Sequence, residues 1–179
     1  PNYQPFNYIR MEQQLTTARA SLKWGLISGV ASIVFLTVLY VTGQVTNQGI
    51  SSLGLIIPIV AIVLAMKEFR TANGGFMTYG QGLGIGTLLT GISGFISGTY
   101  GYIYNEFIDS TIQQQILDKS REQLENRGMD DAQIEAAMEM TAKFTSPGIT
   151  FVIGIIMSII IGFVVSLIIS AIMKKDKPF

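Results

Sequence analysis

Glu106 and Asp109 are the residues best placed to do chemistry. They are two carboxylates at the edge of a long apolar stretch, spaced by three so that one helical face carries both. Such a pair can hold a cation, contact a lipid headgroup or exchange a proton. No neighbouring residue supplies a substrate site, so the pair reads as a contact for a partner or headgroup and not as a catalytic centre. The chain has no Cys and no His. Thiol nucleophiles, imidazole bases, His-ligated haem, iron–sulfur clusters and Cys- or His-ligated metals are thereby excluded. Neither a cofactor nor a metal site is expected. The run Gly80-Gln81-Gly82-Leu83-Gly84-Ile85-Gly86 lacks the G-x-G-x-x-G order and the preceding strand of a dinucleotide loop. It is not a nucleotide site.

The elements that would position such residues are membrane spans. Of the 179 residues 49 % are hydrophobic and only 13 % are charged, against about 25 % charged in soluble domains. The charges collect in the N-terminal arm, at 67–70, at 106–143 and in the last six residues. Between them lie four apolar segments: Trp24 to Gly43, Gly49 to Met66, Gly80 to Tyr104 and Gly148 to Met173. Each reads as a transmembrane helix, since about 20 apolar residues cross the hydrocarbon layer. Pro58, near the middle of the second span, removes a backbone donor and is a candidate kink. Residues 1–10 precede Met11 and contain no apolar core of a signal peptide; they are expected to be an arm outside the fold.

Lys and Arg near span ends orient the chain. Arg10, Arg19 and Lys23 precede the first span, Lys67 and Arg70 follow the second, and Lys174, Lys175 and Lys177 follow the fourth. Both termini and the second loop are therefore expected in the cytoplasm, with eight basic and three acidic residues on that side. Segment 105–147, with nine acidic and four basic residues, is expected outside. The net charge of zero gives no attraction to nucleic acid.

That outer segment reads as two helices. The first is expected to continue the third span as one rod, with Ile108, Ile112, Ile116, Leu117 and Leu124 on one face, and to stop at Asn126-Arg127-Gly128. Asp130 with Gln133 forms a capping-box pattern for the second, whose inner face carries Ile134, Ala137, Met138, Thr141 and Phe144.

The strongest internal pattern is a stripe of small residues every four positions. In the third span it is Gly82, Gly86, Thr90, Gly94 and Gly98; in the fourth, Gly154, Ser158, Gly162, Ser166 and Ser170. In lipid, helices associate through close backbone approach rather than hydrophobic force. The stripes are accordingly expected to be packing interfaces within the protomer or across a homodimer. Alternatively they leave a narrow groove for a solute. No span contains an ionisable Asp, Glu, Lys, Arg or His of the kind that proton relays place in the membrane.

Between the second and third spans, Asn73-Gly74-Gly75 signals a tight turn and a possible headgroup contact, and Phe76 and Tyr79 are suited to the interface. The order Lys67-Glu68-Phe69-Arg70, Asn73-Gly74-Gly75-Phe76 and Tyr79-Gly80, the small-residue third span, the acidic segment and the Lys-terminated last span resemble a bacterial membrane family catalogued as domain of unknown function 4199. The resemblance covers roughly residues 20 to 176. It implies four membrane helices and no assigned activity, and it carries over no catalytic residues.

The expected fold is an all-α integral membrane protein of the bacterial cytoplasmic membrane. It comprises a cytoplasmic arm (1–22), three transmembrane helices (23–104), an extracytoplasmic acidic helical hairpin (105–147), a fourth transmembrane helix (148–173) and a basic tail (174–179). The expected function is a non-catalytic accessory subunit whose partners are lipids and another membrane protein or a second copy. The alternative is a lipid- or solute-handling protein using a groove between the third and fourth spans.

Overall fold

A computed structural model of the chain describes residues 15–177. The arm before Leu15, with Arg10 among the orienting charges, lies outside the described residues. Helix α1 runs Thr17–Val41, so residues 17–22, expected in the arm, are already helical. Thr16 sets the start by accepting the Arg19 N–H at 3.2 Å. Helix α2 (Gln48–Ser52), a 3₁₀ turn (Leu53–Leu55) and α3 (Ile56–Ala72) follow one another as a single apolar rod, six residues longer at its end than the span read to Met66. Pro58 is the third residue of α3. There it closely follows the 3₁₀ turn, out of which Ile56 still donates to the Leu53 carbonyl, so the rod runs on through it. The interruption that Pro58 was expected to cause sits just before it, as the 3₁₀ turn.

Helix α4 (Tyr79–Ile103) begins with a full capping box between Thr78 and Gln81. A π-helical turn (Tyr104–Ile108) ends it, closed by the Asp109 N–H donating to the Tyr104 carbonyl at 2.9 Å. Helices α5 (Thr111–Asn126), α6 (Asp131–Phe144) and α7 (Pro147–Met173) complete the chain. Gly128 at φ +73° ends α5's exit turn, and the Asp130–Gln133 capping box opens α6, both at the positions read from sequence. Four helices are long and apolar enough to cross a membrane: Thr17–Val41, Gln48–Ala72, Tyr79–Ile108 and Pro147–Met173. By length and composition this is a membrane protein. Among the described residues no strand forms, and one isolated bridge joins Met77 to Lys175.

The single rod expected from the third span into α5 does not form. Asp109 is extended (φ −146°, ψ 94°). Its carboxylate accepts the Thr111 N–H at 3.0 Å and the Thr111 hydroxyl at 2.6 Å. That local turn competes with the helical ladder and wins. Glu106 and Asp109 therefore do not share a helical face.

α4 is the most buried span and α7 the least. Residues of α1 and α4 pair in the same direction, Ser21 with Ile85, Ser28 with Ser93 and Thr37 with Tyr100. α7 runs antiparallel to α4. The start of α1, the end of α3, the start of α4 and the end of α7 thus meet at one end of the bundle. There Asn73 donates to the Leu15 carbonyl, Arg70 donates to the Met173 carbonyl at 3.2 Å, and Met77 and Lys175 exchange two backbone bonds of 2.9 and 2.8 Å. The apolar core sits in this half: Ala20, Ala61, Ile62, Ala65, Met66, Phe69, Met77, Ile85 and Leu89.

Candidate functional site

The two small-residue stripes meet face to face. A Cβ built on Gly82 would fall 3.0 Å from the Ser170 Cβ; one on Gly86 would run into Ser166, one on Gly94 into Ser158, and one on Gly162 into Thr90. Each step of four along α4 is matched by a step of four back along α7. In each of these four pairs a glycine faces a hydroxyl-bearing residue, so one backbone gives way to one side chain. This close approach is what holds helices together in lipid. Ser158 adds an interhelical bond to the Thr90 carbonyl at 3.2 Å. On the other side of α4, Gly25 admits the Ile92 side chain and Gly29 that of Ile96, each at 2.9 Å from an added Cβ. Gly82, Gly86, Gly94, Ser158, Gly162 and Ser166 are therefore packing residues inside one protomer.

The fifth pair breaks the rule. By the same register Gly98 faces Gly154, and both are glycine. The Phe151 ring covers Gly98, at 3.3 Å from an added Cβ, but nothing lies within 4 Å of one built on Gly154. At this step the helices stop filling the space between them. A cavity of about 390 Å³ opens, bounded by α1, α4, α5 and α7 and lined at its floor by Gly94, Ser97, Gly154 and Ser158. A second cavity of about 230 Å³ shares those four residues and continues between α3 and α7 past Pro58, Ile62, Ile161 and Val165. The seam between the third and fourth spans is thus filled at each pair from Gly82 to Gly94 and open at Gly98 and Gly154, with the second cavity beside it reaching back to Thr90 and Gly162.

The lining has no charged side chain among the described residues. Four of its deep hydroxyls spend their protons inside the protein: Thr90 on the Gly86 carbonyl (3.0 Å), Ser93 on the Ser28 hydroxyl (3.0 Å), Ser97 on the Ser93 carbonyl (2.9 Å) and Ser158 on the Ile155 carbonyl (2.8 Å); Ser32, also in the lining, has no hydrogen-bond partner among the described residues. What those four present to the cavity is mainly carbon. At the far end, toward α5, the lining turns polar with Tyr40, Tyr102, Asn105, Gln113, Thr145 and Thr150. Asn105 is held by the Gly101 carbonyl at 2.8 Å and approaches the Tyr40 hydroxyl at 3.4 Å. Tyr40 stacks on Tyr104 with ring centroids 4.6 Å apart.

The chain belongs to a family of unknown function. Residues 23–175 match the family described as "Protein of unknown function (DUF4199)", in agreement with the resemblance read from the sequence. No curated protein and no solved structure matches it. Family membership therefore brings no site residues, and the geometry has to supply them.

The remaining predicted contacts are not brought into the cavity. Glu106 is exposed on the π-helical turn, and Asp109 is engaged with Thr111. Asn73-Gly74-Gly75 form the end of α3: the Asn73 side chain donates to the Phe69 and Leu15 carbonyls, and Gly74 and Gly75 take φ of +69° and +88°. That is a helix stop that an L side chain would strain. Among the described residues no group of three or more acidic or His/Cys side chains converges on a metal position. Sequence reading missed the Tyr40–Tyr100–Tyr104 cluster and Asn105. The spacing of Tyr100 and Tyr104 by four was the available signal; the third member, Tyr40, comes from another span. Phe144 and Ile108, read as inner-face residues, are exposed, whereas Ile112 and Ile134 are buried as expected.

Proposed function

We propose that this chain is a non-catalytic lipid-handling protein, which accommodates the apolar chain of a membrane lipid in the cleft that opens at Gly98 and Gly154. The observation that carries this reading is the failure of the Gly–hydroxyl pairing at that step, which leaves an uncharged cavity of about 390 Å³. Ligand sites are typically apolar concavities of roughly 300–1,000 Å³. Among the described residues the lining offers no carboxylate, ammonium, imidazole or thiol, which supports binding over catalysis. The charge asymmetry of the loops supports both termini in the cytoplasm and α5–α6 outside, and the family resemblance supports a bacterial cytoplasmic membrane.

Gly154→Leu tests the reading, because its side chain would enter open space rather than a packed seam. The variant is expected to fold and unfold as wild type but to lose most of the lipid that co-purifies in mild neutral detergent, as counted by native mass spectrometry. Lipid retained at the wild-type level sinks the proposal. A second reading, an accessory subunit docked on another membrane protein or on a second copy, draws on four large apolar side chains exposed beyond or beside the spans: Phe107, Ile108, Met140 and Phe144. It predicts a complex of fixed stoichiometry that Gly154→Leu leaves intact and Phe107→Asn with Phe144→Asn disrupts.

A further inference from the structure

The polarity of the cleft changes along its length, and that gradient constrains the whole occupant. Measured along α4, the linings of the two adjoining cavities together run from Thr90 to Asn105, about 22 Å at 1.5 Å per residue. This exceeds the roughly 15 Å of hydrocarbon in one leaflet, half of a layer about 30 Å thick. The deep end is bounded mainly by carbon, from Ile62, Ile161 and Val165 among others; the Thr90 and Ser97 hydroxyls there have donated their protons, and Ser32 alone keeps one. The mouth is bounded by hydrogen-bonding groups that carry no charge, chiefly the Asn105 and Gln113 amides and the Tyr102 phenol. An apolar tail and a polar head would each meet matching surroundings.

The head is further restricted by what is missing and by what surrounds it. Among the described residues no Lys or Arg lines the mouth, so a phosphate would be desolvated there without a cationic partner from them. Ile112, Gln113 and Ile116 of α5 form the roof, and the segment 105–147 to which they belong carries nine acidic and four basic residues. Glu106 follows directly on the mouth residue Asn105 and is exposed. An anionic head approaching through solvent would meet net repulsion from this segment, screened by salt. Resting on the chain-binding reading above, we infer that the occupant is an amphiphile of the leaflet on the α5–α6 side, with an apolar chain in the cleft and a hydrogen-bonding head that bears no net negative charge.

The test offers the purified full-length chain, stripped of lipid by detergent exchange, two lipids with identical chains. One is diacylglycerol, whose head is a hydroxyl; the other is phosphatidylglycerol, whose head is anionic. Binding is read by native mass spectrometry, at several salt concentrations, for wild type, Gly154→Leu and Gln113→Lys. Diacylglycerol is expected to bind wild type about tenfold or more tightly than phosphatidylglycerol, the discrimination that a like-charge penalty of over 1.4 kcal/mol gives. Gln113→Lys should narrow the difference by supplying a cation at the mouth, and added salt should weaken that gain. Equal binding of the two lipids, or a preference for phosphatidylglycerol, overturns the head assignment while leaving the chain-binding reading intact. Failure of both lipids to bind wild type, or unchanged binding to Gly154→Leu, overturns the chain-binding reading itself.

Discussion

The Ser166 hydroxyl is fully buried against Gly86 and has no hydrogen-bond partner among the described residues. A buried unsatisfied hydroxyl costs about 1–3 kcal/mol, so this serine fills space at the seam at an energetic loss that alanine avoids. Ser166→Ala is expected to leave stability unchanged or raise it by up to about 1 kcal/mol. Gly86→Ala places a methyl group against Ser166, 2.8 Å from its Cβ, and is expected to destabilise by about 1–3 kcal/mol through overpacking. Denaturation midpoints in mixed micelles decide the matter. A large loss in Ser166→Ala would show that its hydroxyl bonds across the seam. The contrast also separates the seam from the cavity, because Gly154, on the same face of α7, tolerates the side chain that Gly86 does not.

At the scale of elements, the four spans were legible because composition alone distinguishes apolar lengths from charged ones, and Asp130 and Gly128 announced their caps by residue type. The packing role of the stripes was legible too, since small residues four apart leave one face flat. Which glycine meets which serine was not, because register is a relation between residues up to 88 apart, and the Gly98–Gly154 gap exists only once that register is fixed. The break at Asp109 could have been read from Asp109-Ser110-Thr111, where a short carboxylate competes for backbone donors; the apolar periodicity from Ile108 to Leu124 argued the other way. That break aims α5 so that Ile112, Gln113 and Ile116 roof the cavity. Asp109→Ala removes both acceptor bonds to Thr111 and is expected to let helix extend from α4 into α5, swinging α5 off the cleft. Spin labels at Thr42 and Glu122 should report a changed distance, and lipid retention should fall with little change in the unfolding midpoint. An unaltered distance would assign the turn to packing and not to the Asp109 side chain.

At the scale of the molecule, the bundle is solid at one end and hollow at the other. The solid end joins Leu15 to Asn73, Arg70 to Met173 and Met77 to Lys175, and adds the Lys23–Glu68 ion pair of 2.7 Å. An exposed pair of that kind adds little by itself; the backbone bonds and the core beneath them keep the four helices together. If the basic residues orient the chain as the charge bias implies, the solid end faces the cytoplasm and the cleft opens toward the outer leaflet. The absence of cysteine makes this directly measurable, since a single introduced thiol is the only one to react. Glu122→Cys on α5 and Thr71→Cys at the end of α3 are both at exposed positions. In intact cells a membrane-impermeant maleimide is expected to label Glu122→Cys and to spare Thr71→Cys until the membrane is permeabilised. The reverse pattern would invert the molecule and place the cleft in the cytoplasmic leaflet. The acidic surroundings of the mouth are unchanged by that inversion, because they belong to the chain whichever side it faces.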